Sequence, residues 1–289
     1  MIFHGALKEL LWYYSFLVFC ELKHPTLGPT KVLRKIVRMI CNTKLHPQKT
    51  NTPPKVVPKK IWIFWAQGWD VAPRLVQLCR DSWIIYNPEW KVVLLSDDTI
   101  SKYIKTEKHI TGENITYAAY SDVVRIKLLS KYGGVWTDAT TFCSSPLSTW
   151  LPSLMQSGFF AFSKPKTTIA SWFIASEKNN FLTKYWGKYV DSYWKFAKKP
   201  ERYFWFHYLF EYILTLVPKV REVWSQTPKV SADGPYAAQR CLKNTRGDKD
   251  ECFSIIWSNI SPVHKLDWKM EIPEGFLRKI EAELSKLPK

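Results

Sequence analysis

Between residues 58 and 142, continuous apolar runs alternate with amphipathic stretches. Three runs have the length of a buried strand: KKIWIFWAQG (59–68), EWKVVLLSDD (89–98) and GGVWTDATTF (133–142). Residues 73–86 and 117–131 instead repeat apolar positions at helical spacing, and the first of these stretches begins at Pro73 and stops at Asn87. Strand and helix units at this spacing predict an α/β domain with a mainly parallel sheet.

Polar residues follow each of the three predicted strands, in the segments Gln67–Trp69, Ser96–Asp98 and Asp138–Thr140. Ligands of parallel α/β sheets bind beyond the carboxyl ends of the strands. We therefore expect these three segments to line one ligand-binding cleft.

The first 20 residues end in the apolar run LLWYYSFLVFC. This run is shorter than the roughly 20 apolar residues that span a bilayer, and it lacks the small-residue cleavage site of a secretory signal. The pattern predicts a helix lying in the membrane interface, with Trp12, Tyr13 and Tyr14 at the depth of the lipid headgroups.

Residues 31–44 have an apolar face opposite a face of Lys and Arg, as in a basic amphipathic helix. That pattern is compatible with a helix on a membrane surface or with a solvated helix docked on the domain. Nucleic-acid binding is disfavoured because no recognised motif accompanies the basic residues. The predicted organisation is a membrane-associating helical extension (1–45), a Pro/Lys-rich linker (46–57) and an α/β domain (58–289).

Charge strengthens the membrane prediction. The 289-residue chain carries a net charge of +17, and residues 1–60 hold eleven Lys and Arg against only Glu9 and Glu21. A basic segment of this kind favours an anionic partner such as a lipid surface. We predict a cytoplasmic protein attached peripherally to the inner face of the membrane.

The six cysteines are scattered without the spacing of a zinc site. We interpret them as reduced thiols in a cytosolic setting, although the spacing of Cys241 and Cys252 is also compatible with a bridge. The sequence has no Walker A motif, G-x-G-x-x-G, H-E-x-x-H or G-x-S-x-G. These absences disfavour a P-loop nucleotidase, a dinucleotide enzyme, a zinc protease and an α/β-hydrolase.

The candidate chemistry lies in YSDVVRIKLLSKYGGVWTDAT (120–140). Asp122 and Arg125 share a helix face and can form an ion pair, which alone would be an unremarkable surface feature. The pair Gly133-Gly134 then predicts a permissive backbone and close approach of neighbouring chain. Asp138 follows at a strand end, where a carboxylate suits a Mg²⁺ or Mn²⁺ ion bound to a diphosphate.

The order Ser-Asp-x-x-Arg, helix, Gly-Gly-x-aromatic-x-Asp resembles the nucleotide-sugar glycosyltransferases of the DXD-sugar-binding class, which includes yeast initiating mannosyltransferase relatives and clostridial glucosylating toxins. VPKKIWIFWAQG (57–68) is similar to the opening strand of that class. YFWFHYLFEY (203–212) and SPVHKLDWK (261–269) resemble more narrowly the capsular polysaccharide synthesis proteins. The resemblance implies a GT-A-type α/β sandwich and transfer of a sugar with retained anomeric configuration.

The resemblance also implies roles for individual residues. Trp65 would stack on the nucleotide base, Asp122 and Arg125 would hold the ribose, and Asp138 would face the diphosphate and its metal. His264 would contact the metal or a phosphate, beside Lys265, which would balance charge. The set implied for donor binding is Trp65, Asp122, Arg125, Gly133, Gly134 and Lys265, and the set implied for the metal is Asp138, Thr140 and His264.

One departure from the class concerns the metal. The class has Asp-x-Asp, whose second Asp is the direct ligand, whereas this chain has Asp138-Ala139-Thr140. The capsular branch resembles this chain in that respect, which favours a variant active site over a dead one. A divalent cation, Mn²⁺ or Mg²⁺, is the expected cofactor.

Two further candidates for contact with the acceptor lie outside the central motif. His207 and Glu211 share a helix face, where His207 is either an acceptor contact or a core histidine. Asp233, in the loop SADGPYAAQR (231–240), is either an acceptor contact or a helix N-cap. Together with Asp138, the residues His207 and Asp233 form the predicted catalytic set.

The predicted function is retaining transfer from a nucleoside-diphosphate sugar, with a UDP-sugar favoured, to a saccharide or lipid-linked saccharide in capsular or surface polysaccharide synthesis. An alternative is a non-catalytic basic protein that binds a membrane or a polyanion on a degenerate transferase fold. A sugar-phosphate transferase or nucleotidyltransferase would require more clustered carboxylates than the sequence offers.

Overall fold

The computed structural model describes residues 2–23, 55–106, 110, 115–164, 168–244 and 249–287. Its helices are α1 Ile2–Lys23, α2 Arg74–Tyr86, α3 Asp97–Ile100, α4 Tyr117–Tyr132, α5 Leu147–Trp150, α6 Phe181–Phe196, α7 Trp205–Leu216, α8 Pro218–Gln226, α9 Ala237–Lys243, α10 Lys249–Trp257 and α11 Glu274–Ser285. Its strands are β1 Lys60–Phe64, β2 Lys91–Leu95, β3 Gly134–Thr137, β4 Thr141–Cys143, β5 Phe159–Lys164, β6 Thr168–Ser176 and β7 Val263–Lys265. The three strands and two helices predicted between residues 58 and 142 are therefore confirmed.

The main sheet has the strand order β2-β1-β3-β6-β5. Strands β2, β1 and β3 are parallel, whereas β6 runs antiparallel to both β3 and β5. The prediction of a mainly parallel sheet is thus wrong, and the sheet is mixed. Only three residues separate β5 from β6, and a connection this short can join neighbouring strands only in the antiparallel sense.

Both faces of the main sheet are covered. Along β1, Trp62 packs into a core shared with α1, α4, α6 and α7, while Ile61 and Ile63 pack into a second core with α2 and α5. This alternation is the period-two pattern of a strand buried on both sides. It explains why the run at 59–68 is continuously apolar.

A second, two-stranded sheet joins distant parts of the chain. Strands β4 and β7 pair antiparallel, with Thr141 opposite Lys265 and Phe142 opposite His264. The amide of Leu266 also donates to the carbonyl of Thr140, at 2.8 Å. This pairing places the carboxy-terminal SPVHKLDWK motif directly beside the segment Asp138–Thr140.

Helix α1 packs on the domain through its aromatic residues. Trp12 contacts the rings of Tyr189 and Tyr212, with centroids 4.9 and 5.9 Å away, and Phe16 is fully buried. Tyr13 packs against the ring of Tyr193 at 5.8 Å. Trp12 and Tyr13 are therefore partly buried against aromatic rings of α6 and α7, and their placement at headgroup depth stays a prediction.

The outward face of α1 remains apolar. Leu11, Tyr14 and Val18 lie at helical spacing and are 61%, 58% and 58% exposed. Within the described residues, no helix combines the length and apolar character needed to cross a membrane. The predicted amphipathic helix at 31–44 and most of the predicted linker lie outside the described residues.

The cysteines differ from the prediction at one pair. Cys241 and Cys252 form a disulfide, so the interpretation of all six as reduced thiols is wrong and the alternative left open by their spacing is correct. Cys20, Cys79 and Cys143 are free and buried. The disulfide ties α9 to α10, the two short helices that precede β7.

Candidate active site

Arg125 connects the two predicted carboxylates. Its guanidinium pairs with Asp122 at 3.0 Å and with Asp138 at 3.2 Å, and it is 4% exposed. It also donates to the carbonyl of Ser171 and to the hydroxyl of Ser121, at 2.9 and 3.0 Å. A buried arginine held by four partners is a rigid positioning group, so Asp122 and Arg125 are not the surface ion pair that their spacing also allowed.

Helix α4 places Arg125 at the end of β3, where it pairs with Asp138. Thr116 caps the helix by accepting from the amide of Ala119, and the inner face carries Asp122 and Arg125 towards the end of β3. The guanidinium lies 5.2 Å from the ring centroid of Trp136 and 5.7 Å from that of Phe206. These aromatic faces stabilise a cation in a site that excludes water.

Burial changes the titration of Asp122. Desolvation raises the pKa of this carboxyl to about 7, Arg125 opposes that shift, and the charge of Asp138 adds to it. Asp122 and Asp138 share one arginine and repel one another. The pair therefore holds fewer than two full negative charges near neutral pH.

Asp138 has one bonded oxygen and one open oxygen. Its Oδ1 accepts from the guanidinium of Arg125 and from the indole Nε1 of Trp136, at 3.2 and 3.1 Å. Its Oδ2 lies 4.0 Å from the ammonium of Lys265, and the side chain is 26% exposed. The backbone amide of Asp138 donates to the carbonyl of Trp172, which continues the β3–β6 pairing past the strand end. The open Oδ2 is the carboxylate atom available to a ligand.

Lys265 lies across the strand-end segment from Arg125. Its ammonium donates to the hydroxyl of Thr140 and to the carbonyl of Leu266. Burial lowers the pKa of Lys265, and the charge of Asp138 opposes that shift. The structure therefore brings Asp122, Arg125, Asp138, Thr140 and Lys265 together. The predicted convergence of Asp122, Arg125 and Asp138 also included His264, which lies elsewhere.

His264 lies on the other side of β7. Adjacent residues of a strand face opposite sides, so a strand that directs Lys265 to Thr140 directs His264 away from it. The imidazole is fully buried beside Ser144, 3.2 Å from its hydroxyl. Burial lowers the pKa of His264 to about 4, against hydrogen bonding to the backbone at Ile256 and Ser261. The prediction that His264 faces the metal or a phosphate is wrong.

Gly133 and Gly134 lie at the amino end of β3, whereas Asp138 follows its carboxyl end. Their φ angles are +66° and +95°, and a Cβ on Gly134 would lie 2.6 Å from the carbonyl oxygen of Lys60. The prediction of a permissive backbone with close neighbours is confirmed. A strand of this length separates the glycines from Asp138 by about 13 Å, so the structure does not bring them to the site and their role is in backbone packing.

Two tryptophans stand at the carboxyl end of β1. Trp65 follows the strand, its amide donates to the carbonyl of Leu95, and its ring packs edge-on against Trp268 at 5.3 Å. Trp268 is 43% exposed. Trp268 was not among the predicted site residues, although it belongs to the quoted SPVHKLDWK motif. The two rings are nearly perpendicular, at 84°, and an exposed aromatic ring such as that of Trp268 is suited to a nucleotide base.

His207 lies near the site without a bonded partner on its ring Nδ1 among the described residues. Burial lowers the pKa of His207 to about 3, and the neighbouring charges of Arg125 and Lys164 lower it further. The carboxylate of Glu211, on the same helix face, accepts from the hydroxyl of Thr168 at 2.6 Å. His207 is therefore neutral at physiological pH and borders the arginine.

Asp233 is directed elsewhere. Its carboxylate accepts from Ser231 at 2.9 Å, lies 3.5 Å from Arg240 and is 77% exposed. It caps no helix, since α9 begins after Tyr236. The same loop instead contributes Tyr236 to the site, a residue that was not predicted. Burial, followed by the charge of Asp138, raises the pKa of this phenol to about 12.

The donor set does not fit a metal ion held by the protein. The position of the second carboxylate is Thr140, whose hydroxyl is occupied by Lys265, and His264 faces away. Within the described part of the chain, no three His, Cys, Asp or Glu side chains are grouped as metal ligands. A hard divalent cation prefers several oxygen ligands, and here Asp138 Oδ2 is the one open carboxylate atom next to two cationic side chains.

The chain is similar in sequence to two curated fungal glycosyltransferases. It is 26% identical over 189 residues to the O-glycosyltransferase braB of Annulohypoxylon truncatum, covering 58% of this chain and 45% of that protein. It is 25% identical over 159 residues to the glycosyltransferase afumC of Aspergillus fumigatus, covering 47% and 40%. The chain therefore spans less than half the length of both curated relatives.

A solved structure, the PaToxG glycosyltransferase, aligns with 97% of this chain and 96% of its own at 12% identity, with a TM-score of 0.43. The family model described as capsular polysaccharide synthesis protein matches residues 20–278. That match covers α1 from Cys20 onwards, the main sheet and β7, and so includes every residue of the site described above. The chain belongs to the capsular polysaccharide synthesis protein family.

Proposed function

We propose that the chain is a retaining glycosyltransferase of GT-A type that uses a nucleoside-diphosphate sugar, with a UDP-sugar favoured. The observation that carries this proposal is the cluster of Arg125, Lys265 and Asp138 at the carboxyl end of β3. Two cations and a partly open carboxylate at the end of a parallel strand suit a diphosphate that gains charge as it departs. The names of the two curated relatives, both glycosyltransferases, support the same reaction class.

In the transfer, the bond between the anomeric carbon and the β-phosphate oxygen breaks, and its electron pair stays on the diphosphate. The oxygen of an acceptor hydroxyl forms the new bond to that carbon on the same face, and the hydroxyl proton leaves with the diphosphate or to solvent. Arg125 and Lys265 stabilise the negative charge that develops on the leaving group. Trp65 and Trp268 would hold the base.

The proposed acceptor is a saccharide or lipid-linked saccharide in capsular or surface polysaccharide synthesis. An acceptor hydroxyl agrees with the description of one relative as an O-glycosyltransferase. His207, neutral and next to Arg125, is the residue of the predicted catalytic set best placed to meet an acceptor. Asp233 has no such support, because its carboxylate bonds to Ser231 and lies beside Arg240.

The test of donor binding is a thermal-shift panel of UDP-, GDP- and CDP-sugars with the full chain. A donor at about 100 times its Kd stabilises the folded protein by about 2.7 kcal/mol. Trp65→Ala should reduce the shift, whereas Tyr203→Ala, which removes an aromatic ring that is 80% exposed, should not. A panel in which no nucleotide sugar raises the melting temperature would contradict the proposal.

Membrane attachment through residues 1–45 is a further part of the proposal, with the protein at the inner face of the membrane. The row Leu11, Tyr14 and Val18 supports it, because these side chains are apolar and exposed. Leu11→Ser with Val18→Ser should weaken sedimentation with anionic vesicles. Leu216→Ser, at another exposed leucine, serves as the control, and equal loss by both variants would contradict a specific role for α1.

Polyanion binding remains a second candidate function because of one cavity. A cavity of about 600 Å³ between α4 and α6 is lined by six lysines, Lys102, Lys105, Lys127, Lys131, Lys184 and Lys188, and by a single carboxylate, Asp191. Such an excess of positive charge favours a multivalent anion. If Lys184→Glu with Lys188→Glu abolishes binding of tripolyphosphate while the nucleotide-sugar panel stays flat, this second function is the correct one.

A further inference from the structure

The space between Asp138 and Thr140 is occupied by a side-chain cation. Lys265 donates to the Thr140 hydroxyl and lies 4.0 Å from Asp138 Oδ2, and its side chain is 16% exposed. In the resembled Asp-x-Asp pattern, positions 138 and 140 would both supply carboxylates to a metal. Here the second position offers a hydroxyl that is already bonded to an ammonium.

The backbone at Lys265 and Leu266 is fixed by hydrogen bonds to two neighbouring segments. The amide of Lys265 donates to the carbonyl of Pro235 at 2.9 Å, and the amide of Leu266 donates to the carbonyl of Thr140 at 2.8 Å. Among the residues that the structure describes, the Nζ atom uses two of its three donors, on Thr140 and on Leu266. At 4.0 Å from Asp138 Oδ2 the third donor lies beyond hydrogen-bond range, so it is available to an oxygen of a ligand.

A divalent cation would meet repulsion at this place. A Mg²⁺ ion bound to Asp138 Oδ2 at about 2.0 to 2.1 Å would lie close to the ammonium of Lys265 and, across the carboxylate, to the guanidinium of Arg125. Like charges at such distances repel strongly in a site shielded from water. The same two cations attract a diphosphate.

We propose that Lys265 takes the place of the divalent cation in this chain, so that the diphosphate of the donor is bound and released without metal. This inference rests on the proposed function and adds to it the identity of the group that neutralises the leaving diphosphate. Lys265 binds a phosphate oxygen through its free donor. Arg125, whose guanidinium is already bonded to its four protein partners, adds its positive charge without direct contact, and Asp138 limits the excess of positive charge. The proton count of the transfer is unchanged, since the ammonium stabilises charge and gives up no proton.

The first experiment needs no substitution. Binding of UDP to the full chain is measured by calorimetry in EDTA and in Mn²⁺, and transfer from the best donor of the thermal-shift panel is measured under the same conditions. We expect the Kd for UDP and the transfer rate to agree within about twofold between the two conditions. A Kd more than tenfold higher in EDTA would overturn the inference.

Substitutions then test whether Lys265 carries the effect. Lys265→Met should raise the Kd for UDP at least tenfold, whereas Lys219→Met, at an exposed helical lysine, should leave it unchanged. Thr140→Asp combined with Lys265→Ala restores two carboxylate positions and removes the ammonium, so UDP binding should become dependent on Mn²⁺. Circular dichroism of each variant checks that it is folded, and wild-type behaviour in EDTA decides the question if a variant is not.

The outcomes separate this inference from the proposed function. If UDP, GDP and CDP all fail to bind with and without Mn²⁺, the proposed function fails. If a nucleotide binds only in the presence of Mn²⁺, the function stands and the role of Lys265 is wrong. If Lys265→Met binds UDP as tightly as the wild type in EDTA, the metal-independent site exists but uses another cation.

Discussion

The two ends of β3 carry the two halves of one sequence motif and do different things. At the amino end, Gly133 and Gly134 meet the backbone of Ser176–Lys178 and of Lys60, where any Cβ would lie within 3 Å of a neighbour. At the carboxyl end, Asp138 meets the side chains of Arg125, Trp136 and Lys265. Steric packing determines which residues fit at the amino end, and charged contacts determine them at the carboxyl end.

Residues that are close together in a motif therefore need not share a function. The four residues of β3 carry the chain from the amino end of the strand to its carboxyl end. Glycine is needed at the amino end because β1 and the segment after β6 approach closely there, whatever the protein binds. We therefore expect substitutions at the amino end to change stability and substitutions at the carboxyl end to change activity.

The largest expected effect is at the amino end. Gly134→Ala would place a Cβ 2.6 Å from the Lys60 carbonyl oxygen at a φ of +95°, combining overpacking with a left-handed backbone. We expect a loss of about 4 kcal/mol in the free energy of unfolding, measured by urea denaturation. Gly275→Ala, which has open space around its Cβ, is the control. A Gly134→Ala protein of normal stability with lost activity would reverse the comparison.

The next effect is at the carboxyl end. Asp138→Asn keeps the shape of the side chain and removes the charge between Arg125 and Lys265, so we expect the transfer rate to fall about 100-fold or more, equivalent to about 3 kcal/mol. The melting temperature should change by only a few degrees. Donor turnover and a thermal melt of the same sample provide the measurement. Full activity of Asp138→Asn would mean that this carboxylate takes no part in transfer.

The third prediction concerns His264, which separates structure from chemistry within one motif. Its folded pKa of about 4 lies below the ordinary 6.5, so the unfolded chain binds the extra proton first and stability is lost as the pH falls below about 6.5. Between pH 6.5 and 5 this group should cost about 2 kcal/mol of stability. His264→Gln should flatten that part of the pH profile.

Two readings of the His264→Gln data would count against this assignment. An unaltered pH profile of stability would show that the buried imidazole does not titrate as its environment implies. Loss of transfer at neutral pH, in a variant that melts like the wild type, would return His264 to the active site. Urea titrations at pH 5, 6 and 7.5 together with a transfer assay distinguish these results.

The smallest effect tests how far the charged end extends. Tyr236→Phe removes a hydroxyl near Asp138 but keeps the ring against Trp172, at 5.8 Å, and beneath Lys164, at 5.2 Å. We expect transfer to slow by about fivefold, near the 1 kcal/mol of one hydrogen bond, with no change in melting temperature. An equal reduction in Tyr132→Phe, whose hydroxyl donates to Tyr103 away from the site, would show that the effect is not specific.

The elements around β3 could be predicted from the sequence because their patterns are local. Apolar runs gave β1, β2 and β3, and Pro73 and Asn87 bounded α2. The antiparallel β6 could not be placed, because its position depends on pairing with β3, a contact between distant residues. The packing of Trp12 on the domain was not predicted for a related reason, since an aromatic face can pack against lipid or against protein.

The site was partly within reach of the sequence. Asp122, Arg125 and Asp138 were found because helical spacing and a strand end fix where they point. His264 and Lys265 are neighbours, and the alternation of a strand allows only one of them to face Asp138. The local sequence does not determine which of these two side chains faces Asp138. That choice depends on the register in which β7 pairs with β4.

The β4–β7 pairing also determines when the site can form. The hydrogen bond between Lys265 and Thr140 joins residues 125 positions apart, and a contact of such sequence separation closes a long loop at an entropic cost. All five strands of the main sheet end by Ser176, so that sheet can form before β7 docks. The site would therefore be completed late in folding, so that a chain released before its last residues are docked is compact but unable to bind its donor.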